Sequence, residues 1–105
     1  MRAKFPKWTK HFQKAYPKVW RAFQQLGDEC HAAGPLDLRT RRLIKIGIAA
    51  GCGSEGAVHS AVRNALSEGV SPDEVRHSIL LSITTIGFPK AQAALSWAED
   101  VIGKG

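Results

Sequence analysis

Glycine, proline and helix-capping residues divide this sequence into segments with helical periodicity, and that division is what most constrains its fold. Within the segments, apolar residues recur at spacings of three and four, and no stretch shows the sustained apolar–polar alternation of a half-buried strand. The strongest local signal lies at Ser71-Pro72-Asp73-Glu74: Ser71 is suited to cap a helix, Pro72 to begin it and Glu74 to complete a capping box. The pattern predicts an all-α fold of about five helices.

The same signals set the predicted helix boundaries. The first helix extends from about Lys7 to Ala32, where Pro17 is able to bend or divide it and Gly34 to form a left-handed cap. The other four are predicted from Asp37 to the break at residues 51–53, from Ser54 to about Gly69, from Pro72 to about Ile86, and from Pro89 to about Ile102.

Length and composition limit the class of protein. A chain of 105 residues is long enough for one hydrophobic core and too short for two, so a single domain over residues 1–105 is predicted. No apolar run approaches the roughly 20 residues that span a bilayer, and the N-terminus is too charged for a signal peptide. Two cysteines are too few for a disulfide framework. We therefore expect a soluble, cytoplasmic protein.

Positive charge is concentrated at the N-terminal end. Residues 1–27 contain seven basic residues and no acid, a charge of +7, whereas residues 28–105 contain eight basic and nine acidic residues, a charge of −1; the total is +6. Lysines and aromatic residues recur there at helical spacing, so residues 1–33 are predicted to form a basic amphipathic segment. Such a segment could bind nucleic acid or an anionic membrane surface. We instead expect its aromatic face to pack on the other helices or a second subunit, with neither nucleic acid nor membrane as a partner.

The fourth predicted helix is apolar on almost every side after Ile79, Leu80 and Leu81. The surface helix of a small monomer keeps one polar face, so this helix is predicted to be central or to lie at a subunit interface. The sequence therefore favours a homo-oligomer.

Cys52, Glu55 and His59 form the cluster of chemically active residues that we single out. Glu55 and His59 are four residues apart on one predicted helical face, with Arg63 one turn further on, and Cys52 lies just before that helix begins. A thiol, a carboxylate and an imidazole suit proton transfer or thiol redox chemistry. Three candidate ligands without a fourth are a weak metal signal, so no metal and no cofactor is expected. A buried cysteine beside a surface ion pair is the alternative interpretation.

Four short motifs carry a family resemblance. They are Thr40-Arg41-Arg42-Leu43-Ile44, Glu55-Gly56, the stretch from Ala65 to Val75, and Gly87-Phe88-Pro89. In this order and spacing they resemble the carboxymuconolactone decarboxylase family, which includes the alkylhydroperoxidase D-like proteins. The resemblance covers about residues 36–102, the predicted family core. It implies a compact, all-helical, alkylhydroperoxidase D-like domain that assembles into trimers or hexamers.

The resemblance implies two possible chemistries. The family's decarboxylases act on a carboxylated muconolactone without a cofactor, and its alkylhydroperoxidase D-like members reduce peroxides with a Cys-x-x-Cys pair served by a Glu and a His. In an ungapped register, the family Glu falls on Arg42, the cysteines on Ser54 and Ala57, and the His on Ala61. The resemblance thus implies a divergent member that lacks the dithiol pair.

Three functions follow, and the sequence leaves open whether the chain is an enzyme. The first is lyase-type acid–base catalysis on an unknown small substrate, with His59 as acid or base and Glu55 as its orienting partner. The second is a peroxidase or thiol oxidoreductase that uses Cys52 and needs Cys30 to approach it. The third is a non-catalytic binding protein.

Overall fold

The computed structural model describes residues 6–103, and these residues form seven α-helices and no β-strand. The all-α prediction is therefore confirmed. The helices are α1 (Lys7–Ala15), α2 (Pro17–Ala32), α3 (Leu38–Cys52), α4 (Glu55–Ser67), α5 (Pro72–Leu80), α6 (Ile83–Ile86) and α7 (Phe88–Ile102). They divide between Leu36 and Asp37 into two compact units, here called the N-terminal unit and the body. None of the helices within residues 6–103 combines the length and apolar character that crossing a membrane requires.

The N-terminal unit is a pair of helices separated at Pro17. Pro17 occupies the first turn of α2, and Tyr16 before it has non-helical torsion angles (φ −133°, ψ 63°), as expected of a residue that precedes proline. The predicted first helix is therefore divided rather than bent. Across the break, the rings of Phe12 and Trp20 make an edge contact with centroids 6.4 Å apart.

The second helix of this unit ends at Ala32, as predicted, but its cap differs from the prediction. Ala33 caps α2 in a right-handed conformation, and Gly34 does not adopt a positive φ. The prediction of a left-handed cap at Gly34 was wrong. Pro35 is enough to prevent continuation, because its ring is incompatible with a helix interior.

In the body, the predicted caps form. The Asp37 side chain accepts a hydrogen bond from the Thr40 amide at the start of α3, and Ser54 Oγ accepts one from the Ala57 amide at the start of α4. Gly53 joins these helices in a left-handed conformation (φ 66°), where a Cβ would also lie 3.3 Å from Cε of Lys90.

The predicted fourth helix is interrupted, which is why the body has more helices than expected. Both halves of the Ser71–Glu74 capping box form at the start of α5, as predicted. The chain then leaves the helix after Leu80, where the Ser82 amide and Ser82 Oγ both hydrogen-bond the Ile79 carbonyl, at 2.9 Å and 2.6 Å. After this turn the chain resumes a helix at Ile83, where α6 begins.

The core of the body consists of small and medium-sized aliphatic side chains. Helix α3 packs against α4 and α5, and α7 packs against the same two helices. The largest fully buried side chains are those of Ile46, Ile79, Val58, Val62 and Val75, and alanines of α3, α4 and α7 fill much of the rest. Alanine faces allow the helix axes to approach closely, and this holds α4 and α7 side by side where the candidate site lies.

Several large apolar side chains of both units stay exposed. In the N-terminal unit they are Leu36 and six residues of the helices and the break between them, here called the aromatic face: Trp8, Phe12, Tyr16, Val19, Phe23 and Leu26. Neither α1 nor α2 has a buried residue. In the body the exposed apolar side chains are Ile44, Ile48, Leu80, Leu81 and Phe88. The apolar spacing of residues 38–48 predicts that Ile44 and Ile48 point largely inward, and their exposure in this chain contradicts that prediction.

Candidate functional site

Two helices of the body bring together an imidazole and two carboxylates. His59 Nε2 lies 3.0 Å from Asp100 Oδ2 and 4.0 Å from Glu55 Oε2. The side chain of His59 is 24% exposed, whereas those of Glu55 and Asp100 are about half exposed or more, at 60% and 53%. We call these three residues the His59 cluster. It is a partly buried imidazole whose carboxylate partners face solvent.

Helix geometry accounts for this arrangement. Because Ser54 caps α4, Glu55 is the first residue of that helix and His59 follows one turn later on the same face. A carboxylate in the first turn of a helix also interacts favourably with the helix dipole. Asp100 comes from the last turn of α7, which packs against α4 through the buried core. Both carboxylates are thus placed by regular helices rather than by a loop.

The contact with Asp100 determines which ring nitrogen of neutral His59 carries the proton. An ionised carboxylate only accepts hydrogen bonds, so the 3.0 Å contact requires the proton on Nε2. The lone pair of the neutral ring is then on Nδ1, which is the atom able to accept a proton from another molecule. Glu55, at 4.0 Å, adds a second negative charge beside Nε2.

Cys52 lies outside these contacts. It is the last residue of α3 and its thiol is free and exposed, with the turn at Gly53 and Ser54 between it and α4. The structure therefore brings Glu55 and His59 together and joins them to Asp100, and it gives Cys52 no hydrogen bond to the cluster. Cys30, in the N-terminal unit, is also a free and exposed thiol.

The ladder predicted from Glu55 through His59 to Arg63 stops at His59. Within residues 6–103 no ion pair extends from the cluster to Arg63. The Arg63 side chain is partly buried, and this desolvation lowers the pKa of its guanidinium.

The positions that the family resemblance assigns to redox residues serve packing and capping here. Ser54 caps α4, while Ala57 and Ala61, one turn apart, pack against the buried core. Arg42 is partly buried, with its guanidinium 3.6 Å from a carboxylate oxygen of Glu68. None of these side chains is a thiol or an imidazole.

Asp100 is the site residue that the sequence did not reveal. It lies among the apolar residues by which the last helix was predicted, between Ala98 and Val101, and nothing in its spacing connects it with His59. The connection depends on which faces of α4 and α7 meet, and a single sequence does not specify this. Its neighbour Glu99 has a different partner, the Arg76 guanidinium, which donates hydrogen bonds that lower the pKa of the Glu99 carboxyl.

Comparison with known proteins finds a family match that covers most of the body and also part of the N-terminal unit. Residues 17–100 match the family model described as the carboxymuconolactone decarboxylase family. An uncharacterized protein of Methanocaldococcus jannaschii is 27% identical to this chain over 98 residues, which is 92% of this chain and 94% of that protein. The matched residues include α2 as well as both helices that form the His59 cluster.

Proposed function

This chain belongs to the carboxymuconolactone decarboxylase family, and from that premise we propose that it is an acid–base catalyst that acts on a small substrate through His59, without a cofactor. The observation that carries the proposal is the 3.0 Å contact of His59 Nε2 with Asp100 Oδ2. Among side chains, histidine has the unperturbed pKa nearest to neutral pH. A carboxylate that accepts a hydrogen bond from one ring nitrogen leaves the other nitrogen to exchange a proton with the substrate.

In this proposal His59 is the catalytic residue, and Asp100 and Glu55 are positioning residues. Asp100 accepts a hydrogen bond from Nε2–H and fixes the ring, so that Nδ1 exchanges protons with the substrate. In a decarboxylation, the bond between carbon and the carboxylate group breaks, CO2 leaves, and its bonding electrons stay on the carbon. The imidazolium form of His59 then donates a proton to that carbon and becomes neutral. Cys52 has no role in this reaction.

The proposed active form is a homo-oligomer, a trimer or a hexamer. Support comes from the exposed apolar side chains of both units, since single exposed apolar residues are ordinary but many on a small domain are typical of an interaction surface. Another copy of this chain supplies apolar surface of the same kind. Burial between copies is the proposed reason that the aromatic face consists of six large, exposed apolar side chains.

The test is the decarboxylation of a carboxylated muconolactone, followed by CO2 release. We expect His59→Ala to lower kcat/KM by about 100-fold or more, the usual contribution of a general acid or base. Asp100→Asn should lower kcat more than it raises KM, because it alters the tautomer and orientation of the His59 ring rather than a group proposed to bind substrate. Glu99→Gln is the matched control: it removes the neighbouring carboxylate, which pairs with Arg76, and should leave turnover unchanged.

If the wild-type protein turns over the lactone and His59→Ala is equally active, the assignment of His59 as the catalytic residue is contradicted. If wild-type protein does not decarboxylate this lactone, the lactone is not the substrate, and the same variants are compared on other small carboxylates and lactones. Loss of activity in Glu99→Gln to the same extent as in Asp100→Asn would show a general effect of charge rather than the specific role proposed for Asp100.

A further inference from the structure

We propose that the His59 cluster binds one divalent transition-metal ion. Each of Glu55, His59 and Asp100 offers one ligand atom, and these three atoms all lie within 4.8 Å of one another. The inference concerns binding alone and does not rest on the acid–base function proposed above.

The distances are close to those of a coordinated ion. Metal–nitrogen and metal–oxygen bonds of about 2.1 Å place neighbouring ligand atoms roughly 3.0 Å apart in octahedral and 3.4 Å apart in tetrahedral geometry. The contact of His59 with Asp100, at 3.0 Å, already has this spacing. The contact with Glu55, at 4.0 Å, has to shorten by about 0.6–1 Å, and no pair of the three ligand atoms is more than 4.8 Å apart. A rotation of the exposed Glu55 side chain is the movement we propose.

The donor set selects the class of ion. One imidazole nitrogen with two carboxylate oxygens suits zinc, manganese, iron or cobalt in the divalent state, whereas calcium and magnesium prefer oxygen ligands alone. Two carboxylates also balance the charge of such an ion. Three protein ligands that partly face solvent leave further coordination positions for water or another small molecule, as in open metal sites.

The surroundings keep these ligands available. Arg76 of α5 is hydrogen-bonded to Glu99, the neighbour of Asp100, and to Asp73. Glu55 and His59 are fixed one turn apart on α4, and α4 is held against α7 by buried residues on both helices. The three ligand atoms therefore converge without a large backbone movement, which reduces the cost of binding.

A bound ion and the proposed acid–base reaction use the imidazole in different ways. The ion takes the lone pair of Nε2, so the ring proton moves to Nδ1, and that nitrogen no longer accepts a proton. Metal-loaded protein should therefore lose the proposed activity, and metal-free protein should have it. Because binding is measured without substrate, failure of one proposal leaves the other standing.

The test is calorimetric titration of the full-length protein with Zn²⁺ after dialysis against a chelator, together with the absorption spectrum of Co²⁺ as a probe of the ligands. We expect one ion per chain. His59→Ala and Asp100→Asn should each weaken Zn²⁺ binding by at least about tenfold, a loss that even outer-sphere changes at metal sites produce. Glu99→Gln should bind as the wild type does, and circular dichroism of all variants checks that they fold.

Three results would overturn the proposal. The first is that wild-type protein binds no Zn²⁺ at micromolar concentration. The second is that Zn²⁺ binding persists unchanged in both His59→Ala and Asp100→Asn. The third is a strong near-ultraviolet sulfur-to-Co²⁺ band that disappears in Cys52→Ser or Cys30→Ser, because it would place the ion on an exposed thiol instead.

Discussion

At the scale of single residues, the thiol and the imidazole predicted together have separate surroundings. His59 shares contacts with two carboxylates, whereas Cys52 ends α3 with an exposed side chain. A peroxidase based on Cys52 needs a second thiol to resolve the sulfenic acid formed by peroxide. The family register places Ser54 and Ala57, neither of them a thiol, where such a pair would lie.

We therefore expect Cys52→Ser to fold as the wild type does and to leave any activity that depends on His59 unchanged. Wild-type protein should show little or no turnover of hydrogen peroxide with a dithiol reductant, because an isolated cysteine stops at sulfenic acid or is oxidised irreversibly. Peroxide consumption and thermal unfolding measure the two effects. Robust peroxide reduction that is lost in Cys52→Ser, with a Cys30–Cys52 disulfide detected by mass spectrometry, would contradict this prediction.

The residues of the site differ in how far the sequence could specify them. Glu55 and His59 are neighbours because of the period of one helix, so their spacing was enough to pair them. Asp100 belongs to another helix, and its pairing is set by tertiary packing that has no local signature. The assignment of these residues to catalysis stays a prediction until a substrate is tested.

At the scale of secondary structure, local signals specified the starts of three helices of the body, and the ends of α2 and α7 at Ala32 and Ile102 also match the prediction. Asp37, Ser54 and Ser71 cap α3, α4 and α5 as predicted, because each cap depends on side chains within one turn. The interruption between α5 and α6 was missed, because the residues around Ser82 include no glycine or proline to mark a break. The sequence pattern likewise overestimated how much of α3 faces inward.

The capping box of α5 also joins two helices and should respond to pH. The Ser71 amide donates a hydrogen bond to the Glu74 carboxylate at 2.9 Å, and the Arg39 guanidinium of α3 donates another; both lower the pKa of Glu74 below its ordinary 4.5. A carboxyl whose folded-state pKa is lowered stabilises the fold above its unfolded-state pKa, and this contribution is lost as the pH falls through the folded-state value.

We therefore expect wild-type protein to be more stable than Glu74→Gln near neutral pH, with the difference shrinking as the pH is lowered below 4.5. Urea unfolding of both proteins at several pH values measures the free energies. The other carboxyls titrate in both proteins, so their effect largely cancels in the difference. A difference that stays constant, or grows, toward acid pH would contradict the role assigned to Glu74.

At the scale of the whole molecule, the exposed apolar residues have the widest consequence. Leu81 is 66% exposed and Phe23 is 63% exposed, although both belong to segments that the sequence predicts to be packed. Their exposure in a single chain fits the proposed oligomer, in which contacts between copies cover them. The single-domain organisation over residues 1–105 also remains a proposal, because the chain divides into two units that are each compact.

Light scattering at micromolar concentration should give a mass that is a multiple of 11.4 kDa, with three or six chains expected. Leu81→Asp should shift the protein toward smaller species, because it places a charge in the proposed interface. Thr84→Asp, at an exposed polar position of α6, is the control. A wild-type mass near 11.4 kDa would contradict the proposed assembly.

A separate binding measurement tests the basic N-terminal unit. Tight oligonucleotide binding that weakens steeply with salt would indicate a nucleic-acid partner for this unit.

The body is packed largely with the smallest of apolar side chains: Ala49, Ala50, Ala65, Ala91, Ala94 and Ala98 make up half of its buried apolar residues. An alanine side chain can be shortened only by substitution with glycine, so alanine scanning does not test this half of the buried apolar residues. Enlargement is the informative change. Ala94→Leu should cost about 1–3 kcal/mol of unfolding free energy through overpacking, whereas Gln92→Leu, exposed on the same helix, should cost far less. In a mutational library of this protein, substitutions by larger residues should therefore be tolerated least at the buried alanines, which have the smallest native side chains in the core.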